Sequence, residues 1–108
     1  MKYEVRIDNI ALDDIYAIYR YVANNDSLGK AEHLLDNIQK TMTSLETMPA
    51  RGSHPPEMQR WGIFDFREIF FKPYRIIYEI RGRTVFIHAV LDGRRNCEDL
   101  LQQRLLRL

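Results

Sequence analysis

Glu68, Arg75 and His88 lie close together in the second half of this 108-residue chain, and their side chains are chemically complementary. A carboxylate or an imidazole can move a proton, and a guanidinium can hold charge that develops on a phosphate. Brought onto one surface, the three would make a site for phosphodiester chemistry. Duller roles are open to each. Arg75 could pair across strands with Glu68 or Glu79. His88 stands in an apolar strand, where a packed histidine is the ordinary occupant. His54 and Glu57 fall in a loop and read as solvated rather than catalytic. Arg94 and Arg95 could hold a phosphate or a partner's carboxylates, or could be plain surface charge. The residues His33, His54, His88 and Cys97 share no metal-ligand spacing, so neither a metal nor another cofactor is expected.

The elements that would position these residues follow from periodicity. Lys2–Ile7 alternates, with Tyr3, Val5 and Ile7 on one face of a short strand. Asp8 suits the cap of a first helix, whose stripe is Leu12, Ile15, Ile18, Tyr19 and Val22. Asn24-Asn25-Asp26 breaks it. A second helix from Ser27 carries Leu28, Ala31, Leu35, Ile38, Met42 and Leu45 at helical spacing, which suits an antiparallel helix hairpin. Pro49 stops that helix, and Pro49–Gly62 reads as a long loop. Three strands follow, at Ile63–Phe71, Tyr74–Arg81 and Thr84–Leu91, joined at Lys72-Pro73 and Gly82-Arg83. Asn96 and Asp99 resemble a capping box for a last helix edged by Leu101, Leu105 and Leu108. The fold class is α+β in the order β-α-α-β-β-β-α: a helix hairpin on a small, mainly antiparallel sheet, in one domain spanning 1–108.

Tight turns fix register, and register fixes faces. A two-residue turn at Gly82-Arg83 sets Ile80 against Val85, Tyr78 against Ile87, Ile76 against Ala89 and Tyr74 against Leu91, facing the helices. The other face then pairs Glu79 with Phe86, Ile77 with His88 and Arg75 with Val90. A turn at Lys72-Pro73 adds Phe70 opposite Arg75, Glu68 opposite Ile77 and Phe66 opposite Glu79. That outer face is too apolar to stand in water. The last helix, a second copy or a partner peptide should cover it. Arg67 points toward the helices in this register, so it must reach past a sheet end or a bulge must shift its strand.

Composition excludes several classes. The net charge is only +1, so bulk electrostatics do not announce a nucleic-acid binder, although arginines crowd the second half. No stretch approaches the ~20 apolar residues that cross a bilayer, and the first residues lack the apolar core of a signal peptide. A soluble, cytoplasmic protein without membrane contact is expected. Cys97 has no intrachain partner, so no disulfide staples the fold.

Several segments in order resemble the RelE/ParE toxins of type II toxin–antitoxin systems, and the ParE-like branch most. Leu12-Asp13-Asp14-Ile15 with Ile18-Tyr19 is similar to their first helix, and Met48-Pro49-Ala50-Arg51-Gly52 to its partner helix's end. Phe66-Arg67-Glu68 with Pro73-Tyr74-Arg75-Ile76-Ile77-Tyr78 is similar to their central hairpin. Val90-Leu91-Asp92-Gly93-Arg94-Arg95 is similar to the end of their last core strand. The resemblance implies a growth-arresting toxin and a cognate antitoxin, whose acidic, amphipathic tail would silence it in a hetero-oligomer. Phe66, Arg67, Phe70, Ile77, Phe86, Arg94 and Arg95 would meet that tail or the target.

Two chemistries divide the family. RelE-like members cut messenger RNA in the ribosome, whereas ParE-like members poison DNA gyrase. Carried over from the nucleases, the strand arginine matches Arg75 and the turn arginine matches Arg95. Their two lysines fall at Phe66 and Glu68, and their tail tyrosine falls near Leu101, so all three are missing. Some ribosome-dependent relatives use a Glu base with His, which Glu68 and His88 would imitate. A nuclease would therefore use Arg75, Arg95, Glu68 and His88. Loss of the lysines favours gyrase as the target over the ribosome. A third reading is an inactive homologue that only binds its antitoxin.

Overall fold

The computed structural model describes residues 2–106. Strand β1 (Glu4–Ile7) leads into Asp8, whose carboxylate accepts a hydrogen bond from Ala11 N at 2.9 Å and starts helix α1 (Asn9–Asn25). Ser27 caps helix α2 (Leu28–Thr43) in the same way through Lys30 N. A 3-10 turn over Ser44–Glu46 and another over Pro49–Arg51 end the hairpin. Helix α3 (Pro56–Arg60) then precedes strands β2 (Phe66–Phe71), β3 (Tyr74–Arg81) and β4 (Thr84–Asp92). Helix α4 (Cys97–Leu101), capped by Asn96, runs on into a π-helical turn over Gln102–Leu106. Leu108, expected on the edge of that helix, lies outside the described residues.

The sheet order is β1-β4-β3-β2, with β1 parallel to β4 and the other pairs antiparallel. The expected fold class holds, with α1 and α2 packed on one face. Ala11, Ile15, Ile38, Met42 and Leu45 from the helices meet Ile69, Ile76, Tyr78, Val85, Ile87 and Val90 from the sheet. Leu12 and Leu28, expected in the helix seams, are instead 43% and 58% exposed. The small Ala11 and Ala31 are fully buried in these helices.

Register follows expectation at the β2–β3 turn, where Phe70 opposes Arg75, Glu68 opposes Ile77 and Phe66 opposes Glu79. It also holds from Gly82-Arg83 back to Tyr78 opposite Ile87. Then it slips. Ile77 opposes Ala89, Ile76 opposes Val90 and Arg75 opposes Leu91, leaving His88 as an extra residue in β4. The slip reverses three expected faces: Val90 joins the helix-side core, while Ala89 and Leu91 turn to the outer face. Arg67 solves its own difficulty by reaching off the sheet to the carbonyls of Gly52 and Ala50 at 2.8 and 3.3 Å.

The outer face is covered by the chain itself. Met58 of α3 and Cys97 and Leu101 of α4 close over Ile77, Ala89 and Leu91, and all six are buried. Pro49–Gly62 is therefore no structureless loop. Pro56 opens α3 at a first-turn position where its missing N–H costs nothing, and Met58 anchors the helix to the sheet. Ser53 bridges Glu68 through both backbone groups, at 3.2 and 2.8 Å, and His54 Nδ1 lies 3.0 Å from the Phe66 carbonyl. The loop thus lies along the open side of β2. On the opposite side of the sheet, β1 stops short of the end of β4, and Asp14 of α1 accepts the freed Val90 N–H at 3.0 Å. Arg104, beyond α4, bonds the same Asp14 carboxylate.

Candidate functional site

The register and the loop together build an ion cluster around Arg75. Its Nε donates to Glu68 Oε1 at 2.7 Å, while Nη1 and Nη2 donate to the two oxygens of Glu57 at 2.7 and 2.9 Å. Side-chain exposures are 11% for Arg75, 15% for Glu57 and 3% for Glu68, so water screens little of this interaction. The hydrogen bonds from Arg75 hold the Glu57 carboxyl below the usual carboxylate range, against the opposing effect of burial. Those to Glu57 and then Glu68 push the guanidinium further from deprotonation. Glu57, expected to be solvated, is the principal partner of Arg75.

His88 does not join this cluster. As the extra residue in β4, it is turned between two other carboxylates. Its Nδ1 lies 3.0 Å from Asp8 Oδ2, and its Nε2 lies 3.0 Å from Glu79 Oε1. Both ring nitrogens are thereby engaged within the protein, one by each carboxylate. Phe66 packs edge-on to the ring, with centroids 5.6 Å apart. Burial raises the Glu79 carboxyl, but hydrogen bonds from Arg81 and His88 outweigh it and leave Glu79 below its ordinary value.

Arg94 and Arg95 stand on the turn after β4. Asp92 takes Arg94 bidentately, through Nε and Nη2 at 2.9 and 2.8 Å, and those bonds hold the Asp92 carboxyl low. Arg95 is exposed, and among the described residues no side chain pairs with it. Of the other expected contact residues, Phe70 is 50% exposed and Phe66 is half-buried. Phe86 lies under the Arg81 guanidinium, 5.2 Å from its ring centroid. Ile77 is fully buried beneath α3 and α4, and Arg67 is committed to loop carbonyls, so neither offers a free surface as expected.

The four residues expected to form a nuclease site are therefore dispersed. Glu68 and Arg75 are joined, His88 sits between Asp8 and Glu79, and Arg95 stands on a separate turn. Among these four residues, no free proton acceptor is paired with an uncommitted cation: Glu68 and Arg75 engage each other, and His88 is held by two carboxylates. What the arrangement does is hold α3 on the sheet and present Arg95.

Residues 5–97 match the family described as ParE toxin of type II toxin–antitoxin system, parDE, and the chain belongs to that family. Toxin ParE3 of Caulobacter vibrioides is 29% identical over 83 residues, covering 77% of this chain and 79% of the relative. A chain of the chromosomal ParDE system of P. aeruginosa superposes with a TM-score of 0.69 at 16% identity, covering 82% of this chain and 94% of that one. E. coli RelE, solved free as a double arginine mutant, gives 0.66 at 16% identity over 100% and 99%. These two structures share the fold. The chain is a ParE-like toxin of a type II toxin–antitoxin system.

Proposed function

We propose that this toxin poisons DNA gyrase and is not a ribosome-dependent ribonuclease. The carrying observation is that both nitrogens of His88 face carboxylates. With both ring nitrogens engaged by carboxylates, His88 turns neither toward a ribose 2′-hydroxyl, and Glu68, 3% exposed, already accepts from Arg75. The family and the Caulobacter relative support the same branch. A cognate antitoxin keeps the toxin silent, in a hetero-oligomer whose contacts include the exposed Phe70, Arg94 and Arg95.

The test sets purified toxin against gyrase with supercoiled DNA, and separately against programmed ribosomes. Gyrase-dependent DNA breaks with intact messenger are expected. Messenger cut at the decoding site with gyrase untouched would overturn the reading. Absence of growth arrest on expression without antitoxin would point to an inactive binding homologue.

A further inference from the structure

The side of the helix hairpin turned away from the sheet is apolar where a surface helix pair is ordinarily polar. Leu12, Ile15, Tyr16 and Tyr19 of α1 line a groove of about 380 Å³ with Leu35 of α2. Ile15 is nearly buried, but Leu12 and Leu35 are exposed and Tyr16 is 65% exposed. Leu28, two turns before Leu35 on the same side of α2, continues the patch and is exposed as well. Among the described residues only these two helices line the groove. Arg94 and Arg95 stand on the other side of α1, beside Ala17, Ile18 and Tyr21.

The charges beside the groove select its occupant. Asp13 lies three residues before Tyr16 and Arg20 four residues after it, so both share its side of α1. Both are exposed, and neither enters an ion pair among the described residues. Opposite charges thus stand at equal distances from a point midway between positions 16 and 17. A second α1 laid antiparallel across that point sets each Asp13 opposite the other copy's Arg20. We infer that the toxin, when free of its antitoxin, pairs with a second copy of itself through this face. The two α1 helices run antiparallel about a twofold axis beside Tyr16, and each Tyr16 enters the groove of the other copy. An acidic peptide is the poorer occupant, because Asp13 and Glu32, three residues before Leu35, outnumber Arg20 at the groove. A nucleic acid is poorer for the same reason. The inference does not rest on the gyrase reading.

The test is sedimentation of the whole purified toxin, without antitoxin, over a range of concentrations. The parent is expected to pass from monomer to dimer as concentration rises. Asp13→Arg and Arg20→Asp each turn two attractions into two repulsions, so each should weaken the dimer at least about tenfold. An equimolar mixture of these two variants restores both attractions across the axis and should sediment as a dimer again. Both residues are exposed, and unchanged circular dichroism will show that the variants fold. A parent that stays monomeric throughout would overturn the inference, as would a dimer indifferent to both substitutions. A mixture that remains monomeric would overturn the antiparallel pairing. A parent that is always monomeric and loses its antitoxin on Tyr16→Ala would give the face to the antitoxin and overturn self-pairing. Growth arrest is scored separately in cells, so a toxin that arrests growth as a monomer loses this inference and keeps its function.

Discussion

Arg75 and Glu57 meet fork to fork, with both terminal nitrogens of the guanidinium on both oxygens of the carboxylate, at 2.7 and 2.9 Å. The pair joins the middle of the sheet to a five-residue helix too short to hold itself. Removing one partner strands the others away from water. Arg75→Ala should cost about 3–5 kcal/mol, the usual loss when a buried ion pair is broken from one side. Urea unfolding measures it. A triple change of Arg75→Met, Glu57→Gln and Glu68→Gln should recover part of that loss, because it leaves no buried charge unpaired.

The same contact makes stability depend on acid. The Glu57 carboxyl is held below its unfolded value by Arg75, so the folded state resists its protonation. Its contribution is present in full above the ordinary carboxylate range and is lost as pH falls through the lowered folded value. Glu79 and Asp92 shift in the same direction and add to the slope. Urea midpoints measured from neutral to strongly acid pH should show Glu57→Gln less pH-sensitive than the parent. Parallel curves would contradict the assignment.

Gly52 sits where no side chain fits. A Cβ there would lie 2.5 Å from Tyr78 Oη and 2.6 Å from the Glu68 carbonyl. Tyr78 Oη itself donates to Pro49 O at 2.6 Å and accepts from Gly52 N at 3.0 Å. Gly52→Ala should cost about 1–3 kcal/mol through overpacking. Thermal unfolding reads the shift, and an unchanged melting temperature would mean the loop moves aside freely.

His88 offers a functional contrast. As a strut between Asp8 and Glu79 it contributes to stability, and about 1–2 kcal/mol is expected to go with His88→Gln, since Asp8 is partly exposed. Toxicity on induced expression should persist. Growth arrest abolished in a variant that remains folded by circular dichroism would restore a catalytic role for the imidazole.

Much of this architecture was legible in local sequence. Asp8, Ser27 and Asn96 announced three helix starts, and Gly82 fixed the last hairpin out to Tyr78 and Ile87. Beyond that point, local rules fail for a reason that is not local. The extra residue at His88 is held by Asp8, 80 positions away, and by Glu79 on the neighbouring strand. No pattern of alternation encodes such a pairing, so Ala89, Val90 and Leu91 were assigned to the wrong faces. Helix α3 was missed despite a usable signal. Pro56 at its start, Glu57 in its first turn and Arg60 in its last match the helix dipole, but Pro55-Pro56 reads first as a loop. Without α3, Glu57 had no reason to face the sheet. The slip takes His88 to Asp8 and Glu79, and α3 brings Glu57 onto the Arg75 fork, so His88 stands apart from Glu68 and Arg75.

The bridge from Ser53 to Glu68 has a consequence for the protein when it is alone. An open sheet margin is a template on which a second copy can add a strand, and small β-containing proteins at high concentration fail by that route. Here the backbone groups of Glu68 are already occupied by Ser53, and the Phe66 carbonyl lies against His54. At the far margin the Asp14 carboxylate holds Val90 N–H where β1 gives out. The loop and one acidic side chain thus act as guards against fibrous self-assembly. Ser53→Pro, which removes a donor from one guard, should turn a clear solution turbid at concentrations where the parent stays dispersed.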